Sequence, residues 1–220
     1  MNNSKVIAID GPAGAGKSTV AQLVAARLGY TYIDTGAMYR AVAWKVLQAD
    51  DFDFKDEFII QTAQHMNLIL QYIDGSTRVL VDGEDISDKL RAPAVNKIVS
   101  QVAKLGPVRE KMVALQRAMA QNGAVVMDGR DIASNVLPNA DIKIYLTASV
   151  EERARRRFIE MKQKGYNIDL EQLKSEIAAR DKADSERAIS PLIKTPDAFL
   201  LDSTSMTIEA VVDKILSLIS

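Results

Sequence analysis

The 220-residue chain contains no cysteine and one histidine, His65. Without a thiol there is no disulfide, no cysteine nucleophile and no thiolate metal site. With one imidazole no multi-histidine metal cluster forms, and any Ser-His-Asp relay would have to use His65. An excess of either charge is also missing: 28 basic against 29 acidic side chains leave a formal net charge of −1. That balance argues against a general nucleic-acid coat, which would show a basic excess. No apolar run reaches the roughly 18 residues of a membrane span. The start, Met1-Asn2-Asn3-Ser4-Lys5-Val6, lacks the apolar stretch of a secretory signal. The expectation is a cytoplasmic monomer that engages neither membrane nor nucleic acid.

What is present is an ordinary globular composition, 47% hydrophobic and 26% charged. Its length suits one domain with an inserted lobe. Val6–Ile9 reads as a strand buried on both faces. Val20, Leu23, Val24 and Leu28 line one face of the helix that follows, which Gly29 stops. A second strand is expected at Thr31–Asp34, and helices at 35–47 and 54–66. The middle changes texture: 67–73 and 77–81 around Asp74-Gly75-Ser76 predict a β-hairpin, placing an inserted β-rich lobe at about 66–95. Pro93 and Pro107 open two further helices. Strands are expected again at 125–128, 142–146 and 198–201. A helix opens on the capping pair Ser149 and Glu152, a charged helix spans about 170–188, and an amphipathic helix closes the chain. Five apolar strands alternating with helices predict an α/β fold, a five-stranded parallel sheet covered by helices on both faces.

The chemistry begins at Gly11-Pro12-Ala13-Gly14-Ala15-Gly16-Lys17-Ser18, with Thr19 following, a full G-x-x-x-x-G-K-[ST] between a buried strand and an amphipathic helix. Such a P-loop lets backbone N–H groups converge on phosphate oxygens, and the helix start adds partial positive charge. Lys17 supplies a cation for the β and γ phosphates, and Ser18 a hydroxyl for Mg²⁺. A guanine reader N-K-x-D is lacking, since Asn96-Lys97 continues as Ile98-Val99, which favours ATP. Asp128 ends a strand as a Walker-B carboxylate would and is a second Mg²⁺ candidate; a cap or turn role is an equal reading.

Thirteen arginines are unevenly placed. Arg40 follows Asp34-Thr35-Gly36, and Arg130 sits at a strand end, where a parallel sheet presents its ligand crevice. Arg153, Arg155, Arg156 and Arg157 share one helix, and Arg180, Asp184 and Arg187 fall on one helical stripe. Guanidinium is suited to bidentate phosphate binding, so arginines from separate elements suggest an acceptor that is itself a phosphate. Solvated charge is the default for Arg155 and Arg157, and an even alternative for the stripe. A phosphate oxygen is already anionic and needs no general base, which fits a chain so poor in histidine. The rivals are a kinase acting on a small-molecule hydroxyl, with Asp34 as base, and a non-catalytic ATP-dependent switch. His65, Trp44 and the methionines read as surface or core residues, and Tyr39 as structural or as packing under a substrate.

Ile9 to Ser18, Ile33-Asp34-Thr35-Gly36-Ala37-Met38-Tyr39-Arg40, Asp128-Gly129-Arg130-Asp131 and Arg180 to Arg187 together resemble bacterial cytidylate kinases, the ATP:CMP phosphotransferases, over essentially the whole chain. The resemblance implies a P-loop kinase fold with a CMP-side β lobe and a mobile helical lid at about 153–168. It places Thr35, Arg109 and Asp131 around the cytosine, Ser100, Arg180 and Asp184 at the sugar, and Arg40, Arg130 and Arg187 at the CMP phosphate, with Asp34 also on the acceptor side. Lys17, Arg130, Arg153 and Arg156 become the catalytic set, with Mg²⁺ as cofactor and ATP, CMP and dCMP as partners. A carboxylate at Asp131 would accept from the cytosine 4-amino group and repel the uracil 4-oxygen. Relatives often carry serine where this chain has Thr35; the hydroxyl is kept and a methyl added.

Overall fold

A computed structural model describes residues 4–49, 55–73, 76–163 and 165–219. Phe54 and the turn residues Asp74 and Gly75 lie outside the described residues. The central sheet is built from β1 (Val6–Asp10), β2 (Thr31–Asp34), β6 (Val125–Gly129), β7 (Ile142–Thr147) and β8 (Phe199–Asp202). Their order is β2-β6-β1-β7-β8 and every pair is parallel. β1 and β6 are the central strands and are almost wholly buried, which is why they read as unbroken apolar runs. The chain leaves β1 for β2 and returns to fill the gap with β6, so the C-terminal ends of β1, β2 and β6 open on one crevice.

Helices cover the sheet: α1 (Lys17–Leu28), α2 (Thr35–Val46), α3 (Asp56–His65), α4 (Pro93–Val102), α5 (Gly106–Ala120), α6 (Val150–Gln163), α7 (Leu170–Glu186) and α8 (Ile208–Leu216). One core packs Val20, Val24, Val211, Val212 and Ile215 of α1 and α8 against Ile7, Ile9 and Ile144. The opposite face packs Val113, Ala120, Ile132 and Val136 on Ala8, Val125 and Met127. Antiparallel strands β3 (Leu68–Ile73), β4 (Ser76–Val81) and β5 (Glu84–Asp85) form a separate three-stranded sheet. Its Leu68, Val79 and Val81, with Ile86 and Leu90, join a third core with Trp44, Met38 and Met112. Trp44 is therefore core, while His65 is exposed and contacts the carbonyl of Gln61 at the end of α3.

Local signals set the helix starts. Asp34 accepts from Ala37 N (2.8 Å) at the head of α2, Ser149 Oγ accepts from Glu152 N (3.2 Å) at α6, and Asp169 caps α7. Two details depart from expectation. The α7 helix stops at Glu186, and Arg187 is extended, so Arg180 and Asp184 share a helical face while Arg187 reaches its neighbours from the turn beyond. After β6 the chain makes one turn of π-helix, Ile132–Val136. Asp10 is the cause: its buried carboxylate accepts from Ile132 N (2.9 Å) and Ala133 N (2.8 Å), pinning the segment that follows Arg130 and Asp131.

Candidate active site

The loop between β1 and α1 lies at the end of the two buried central strands. Gly11 at its start has φ +150°, and a Cβ there would stand 1.9 Å from the carbonyl oxygen of Leu146 on β7. Only glycine lets the loop leave the sheet that close to its neighbour. Pro12, Ala13 and Ala15 are buried and Gly14 is exposed. Lys17 is buried and folds its Nζ back onto Pro12 O (2.8 Å). Burial, and then the charge of Arg130, pushes its ammonium well below the ordinary lysine value. A cation held under that strain is stabilised by an incoming anion.

Ser18 donates to Asp128 Oδ2 (3.0 Å), and Tyr32 donates to Oδ1 (2.8 Å). Burial, and then the nearby Asp34, raises the Asp128 carboxyl to about 6. A hydroxyl and a buried, under-compensated carboxylate are hard oxygen ligands that fit Mg²⁺, which takes one or two carboxylates and completes its shell with phosphate and water. No cluster of three or more acidic or histidine ligands exists among the described residues, so a metal here would depend on nucleotide oxygens. Thr19 is exposed beside Ser18, and both line a cleft of about 210 Å³ that runs past Asp34 and Arg40 to Thr77, Ser87 and Arg91 of the β lobe.

The arginines form two linked groups. Arg130 Nε donates to Asp184 (2.8 Å), and the charges of Arg130, Arg40 and Arg157 all bear on Arg180. Burial, then Arg130, lowers the Arg180 guanidinium to about 10. For Asp184, burial would raise its carboxyl, but Arg130, Arg180 and Arg187 together more than offset this and its pKa is lowered. Deeper in, Asp131 is clamped between Arg109 and Arg187 (Nη2 at 3.3 Å), and also accepts from Asn135 (3.0 Å). The Arg109 guanidinium lies 5.6 Å from the centre of the Tyr39 ring, so Tyr39 supports this group. Thr35 donates its hydroxyl to Asp128 O (2.7 Å), tying α2 to the end of β6. Ser100 lies half-buried on α4, a helix that α7 packs against.

Asp34 is both the α2 cap and the partner of Arg40 (3.2 Å). Arg156 lies at the loop: its Nη2 donates to Ser203 O (2.7 Å), and its Nη1 would stand 3.9 Å from a Cβ on Gly16. Arg153 is buried and committed, donating to Ala148 O, Ala13 O (both 2.8 Å) and Asp181 (2.6 Å). Arg155 is exposed on Glu152, whereas Arg157, read as solvated charge, is two-thirds buried and near Arg180. Asp10, Tyr32 and Asp181 were not singled out from the sequence. Asp10 carried a signal, a charge closing an apolar strand; Tyr32 and Asp181 carried none.

Among the described residues, Arg40, Arg109 and Arg180 each keep a buried Nε without a hydrogen-bond partner, and such donors are nearly always paired in folded proteins. A P-loop on a parallel sheet, a lysine at its helix start and a guanidinium-lined crevice opposite define a P-loop kinase, with phosphate chemistry on both sides.

The family model described as "Cytidylate kinase" matches residues 7–220. A cytidylate kinase of Geobacillus thermodenitrificans is 53% identical over 220 residues, covering 100% of this chain and 98% of that one. A cytidylate kinase of Caldicellulosiruptor bescii is 50% identical over 212 residues, 96% and 94% of the two chains. The crystal structure of an uncharacterized protein from Eubacterium ventriosum shares the fold, with a TM-score of 0.55 at 12% identity over 98% of each chain. The chain belongs to the cytidylate kinase family. No helix among the described residues is long and apolar enough to cross a membrane.

Proposed function

We propose that the chain, as a cytidylate kinase, moves the γ-phosphoryl group of Mg-ATP onto CMP or dCMP, giving ADP and the diphosphate, and that it divides this work among the residues above. The unpartnered buried guanidinium nitrogens of Arg40, Arg109 and Arg180 carry the reading, because buried donors of this kind call for acceptor oxygens or ring atoms that a bound ligand would supply. The loop from Gly11 to Thr19 binds the donor phosphates through the N–H groups that remain free beyond Pro12 and Ala13, and Lys17 turns from Pro12 O onto them. Ser18 and Asp128 would hold Mg²⁺, which supplies charge neutralisation at the β and γ phosphates.

Arg40, Arg130 and Arg187 now rest on Asp34, Asp184 and Asp131, and each guanidinium keeps further N–H donors for the CMP phosphate. Those carboxylates hold the arginines in place before the acceptor arrives, so alignment costs little at binding. Thr35, Arg109 and Asp131 would read the cytosine, and Ser100, Arg180 and Asp184 would hold the sugar. Asp34 serves as cap and arginine partner, which fits no proton-abstracting role, and an anionic acceptor asks for none.

The lid at about 153–168 takes in most of α6, and the three-stranded sheet is the acceptor-side lobe. Within the lid, Arg156 is the arm that reaches the transferring group, while Arg153 acts from behind the loop. A lid that closes with both substrates bound keeps water from the reacting phosphate. The working unit proposed is a monomer, and the acceptor is a nucleotide rather than a nucleic acid.

The test is ADP release from Mg-ATP with a panel of nucleoside monophosphates and small alcohols. CMP and dCMP should stimulate turnover far above UMP. Turnover only with an alcohol would establish a hydroxyl kinase, and none with any acceptor a nucleotide switch.

A further inference from the structure

Helix α7 holds the acceptor side through Arg180 and Asp184, yet the residue between them in the turn, Asp181, points the other way, into the phosphate loop. Its Oδ1 accepts from Ala13 N (3.2 Å), and its Oδ2 pairs with Arg153 Nη1 (2.6 Å). The same Nη1 donates to Ala13 O (2.8 Å), and Arg153 Nε to Ala148 O (2.8 Å) at the end of β7. The two peptide groups that flank Ala13 are therefore both held, one by the aspartate and one by the arginine that the aspartate pairs with. The contact spans 168 residues of sequence and is four-fifths buried at the carboxylate, where charge-assisted bonds keep much of their strength.

We propose that Asp181 is a positioning residue that sets the donor-phosphate loop from the acceptor-binding helix. A P-loop binds phosphate only if its successive N–H groups converge, and convergence depends on the orientation of each peptide plane. Fixing both planes at Ala13 presets that geometry. Because Asp181 stands directly after Arg180 and three residues before Asp184, a movement of α7 over the acceptor is passed to the loop through one side chain. Donor and acceptor binding are thereby coupled, each site favouring the same position of α7. This inference rests on the assignment of Arg180 and Asp184 to the acceptor.

The experiment compares wild type with Asp181→Ala and Asp181→Asn, using equilibrium binding of a non-hydrolysable Mg-ATP analogue, then of CMP with and without that analogue. The alanine variant should bind the analogue about ten-fold more weakly, in line with the loss of one charge-assisted bond. It should bind CMP alone within about two-fold of wild type and lose the tightening of CMP that the analogue produces. The asparagine variant keeps an oxygen for Ala13 N–H but no charge for Arg153, and should fall between the two. Unchanged analogue affinity would overturn the proposal. So would tighter analogue binding, which would mean that the carboxylate merely competes with phosphate for the amide. Equal losses for analogue and CMP would indicate general loosening and also refute it. If the alanine variant does not fold, the asparagine variant carries the same outcomes at about three-fold. Analogue binding needs no acceptor, so a wild-type protein that binds it but is indifferent to CMP would refute the acceptor assignment instead.

Discussion

Replacing Asp128 with asparagine should sharply lower catalysis and make the free protein more stable. The Asp128 carboxyl is buried, 4% exposed, and its two neighbours, Ser18 and Tyr32, are hydroxyl donors rather than cations. Burial and the nearby Asp34 raise it from 3.8 to about 6. A carboxyl that titrates higher in the native state costs stability at neutral pH, here ~3 kcal/mol. Asparagine keeps the carbonyl oxygen for Tyr32, and its amide can donate to Ser18 Oγ while the partly exposed Ser18 hydroxyl turns its own proton to solvent. Lys17 loses a favourable neighbouring charge, which takes back part of the gain. The net effect is on the order of 1–2 kcal/mol, a rise of about 3–6 °C in Tm for a chain of this size.

The pH dependence carries the sign. Below 3.8 the carboxyl is neutral in both folded and unfolded chains, and the variant has no advantage from this source. Wild type loses the contribution as pH rises through about 6, so the advantage of Asp128→Asn should grow over that range and level off near pH 7. Thermal melts between pH 4 and 8, without nucleotide, measure it. A Tm below wild type at pH 7–8, or a gain that does not vary with pH, would refute the reasoning. CMP-dependent turnover in the same variant should fall by at least ~10²-fold, since Mg-ATP loses its carboxylate partner.

Asp10 offers the opposite outcome from a similar environment. It too is raised to about 6 by burial, but it accepts two backbone amides, so Asp10→Asn would set its own N–H₂ against one of them. That variant should lose about 2 kcal/mol or more in denaturant unfolding. Asp131→Asn should narrow the preference for CMP over UMP, read as a ratio of kcat/KM, and an unchanged ratio would remove Asp131 from base recognition. The same change removes the counter-charge that Arg109 and Arg187 share, so it should also cost stability by ~1–3 kcal/mol in chemical unfolding.

Local order made much of the molecule legible. The alternation of apolar strands with helices, the period of α1 and α8, the cap at Ser149 and the P-loop are short-range patterns whose physics is written in neighbouring residues. The parallel five-stranded sheet and the phosphate side of the site followed from them. Arg130 could also be placed, because a residue that ends a central strand must face the crevice. From the residues alone Arg155 and Arg157 read as solvated charge and only the resemblance singles out Arg153 and Arg156, since four arginines within five residues look alike until the helix is docked. Docking buries Arg153 behind the loop, brings Arg156 to the loop, turns Arg157 toward Arg180 and leaves Arg155 in solvent.

The sequence by itself therefore determined the fold class, the donor-phosphate loop, the wealth of arginine and the want of a base. It did so because backbone geometry and hydrophobic periodicity act over a few residues. Only the tertiary structure decided which carboxylate holds which cation: Asp34 with Arg40, Asp184 with Arg130, Asp131 with Arg109 and Arg187, and Asp181 with Arg153. All but the first join residues far apart in the chain, and no local pattern predicts partners that meet only when α5, α6 and α7 are docked.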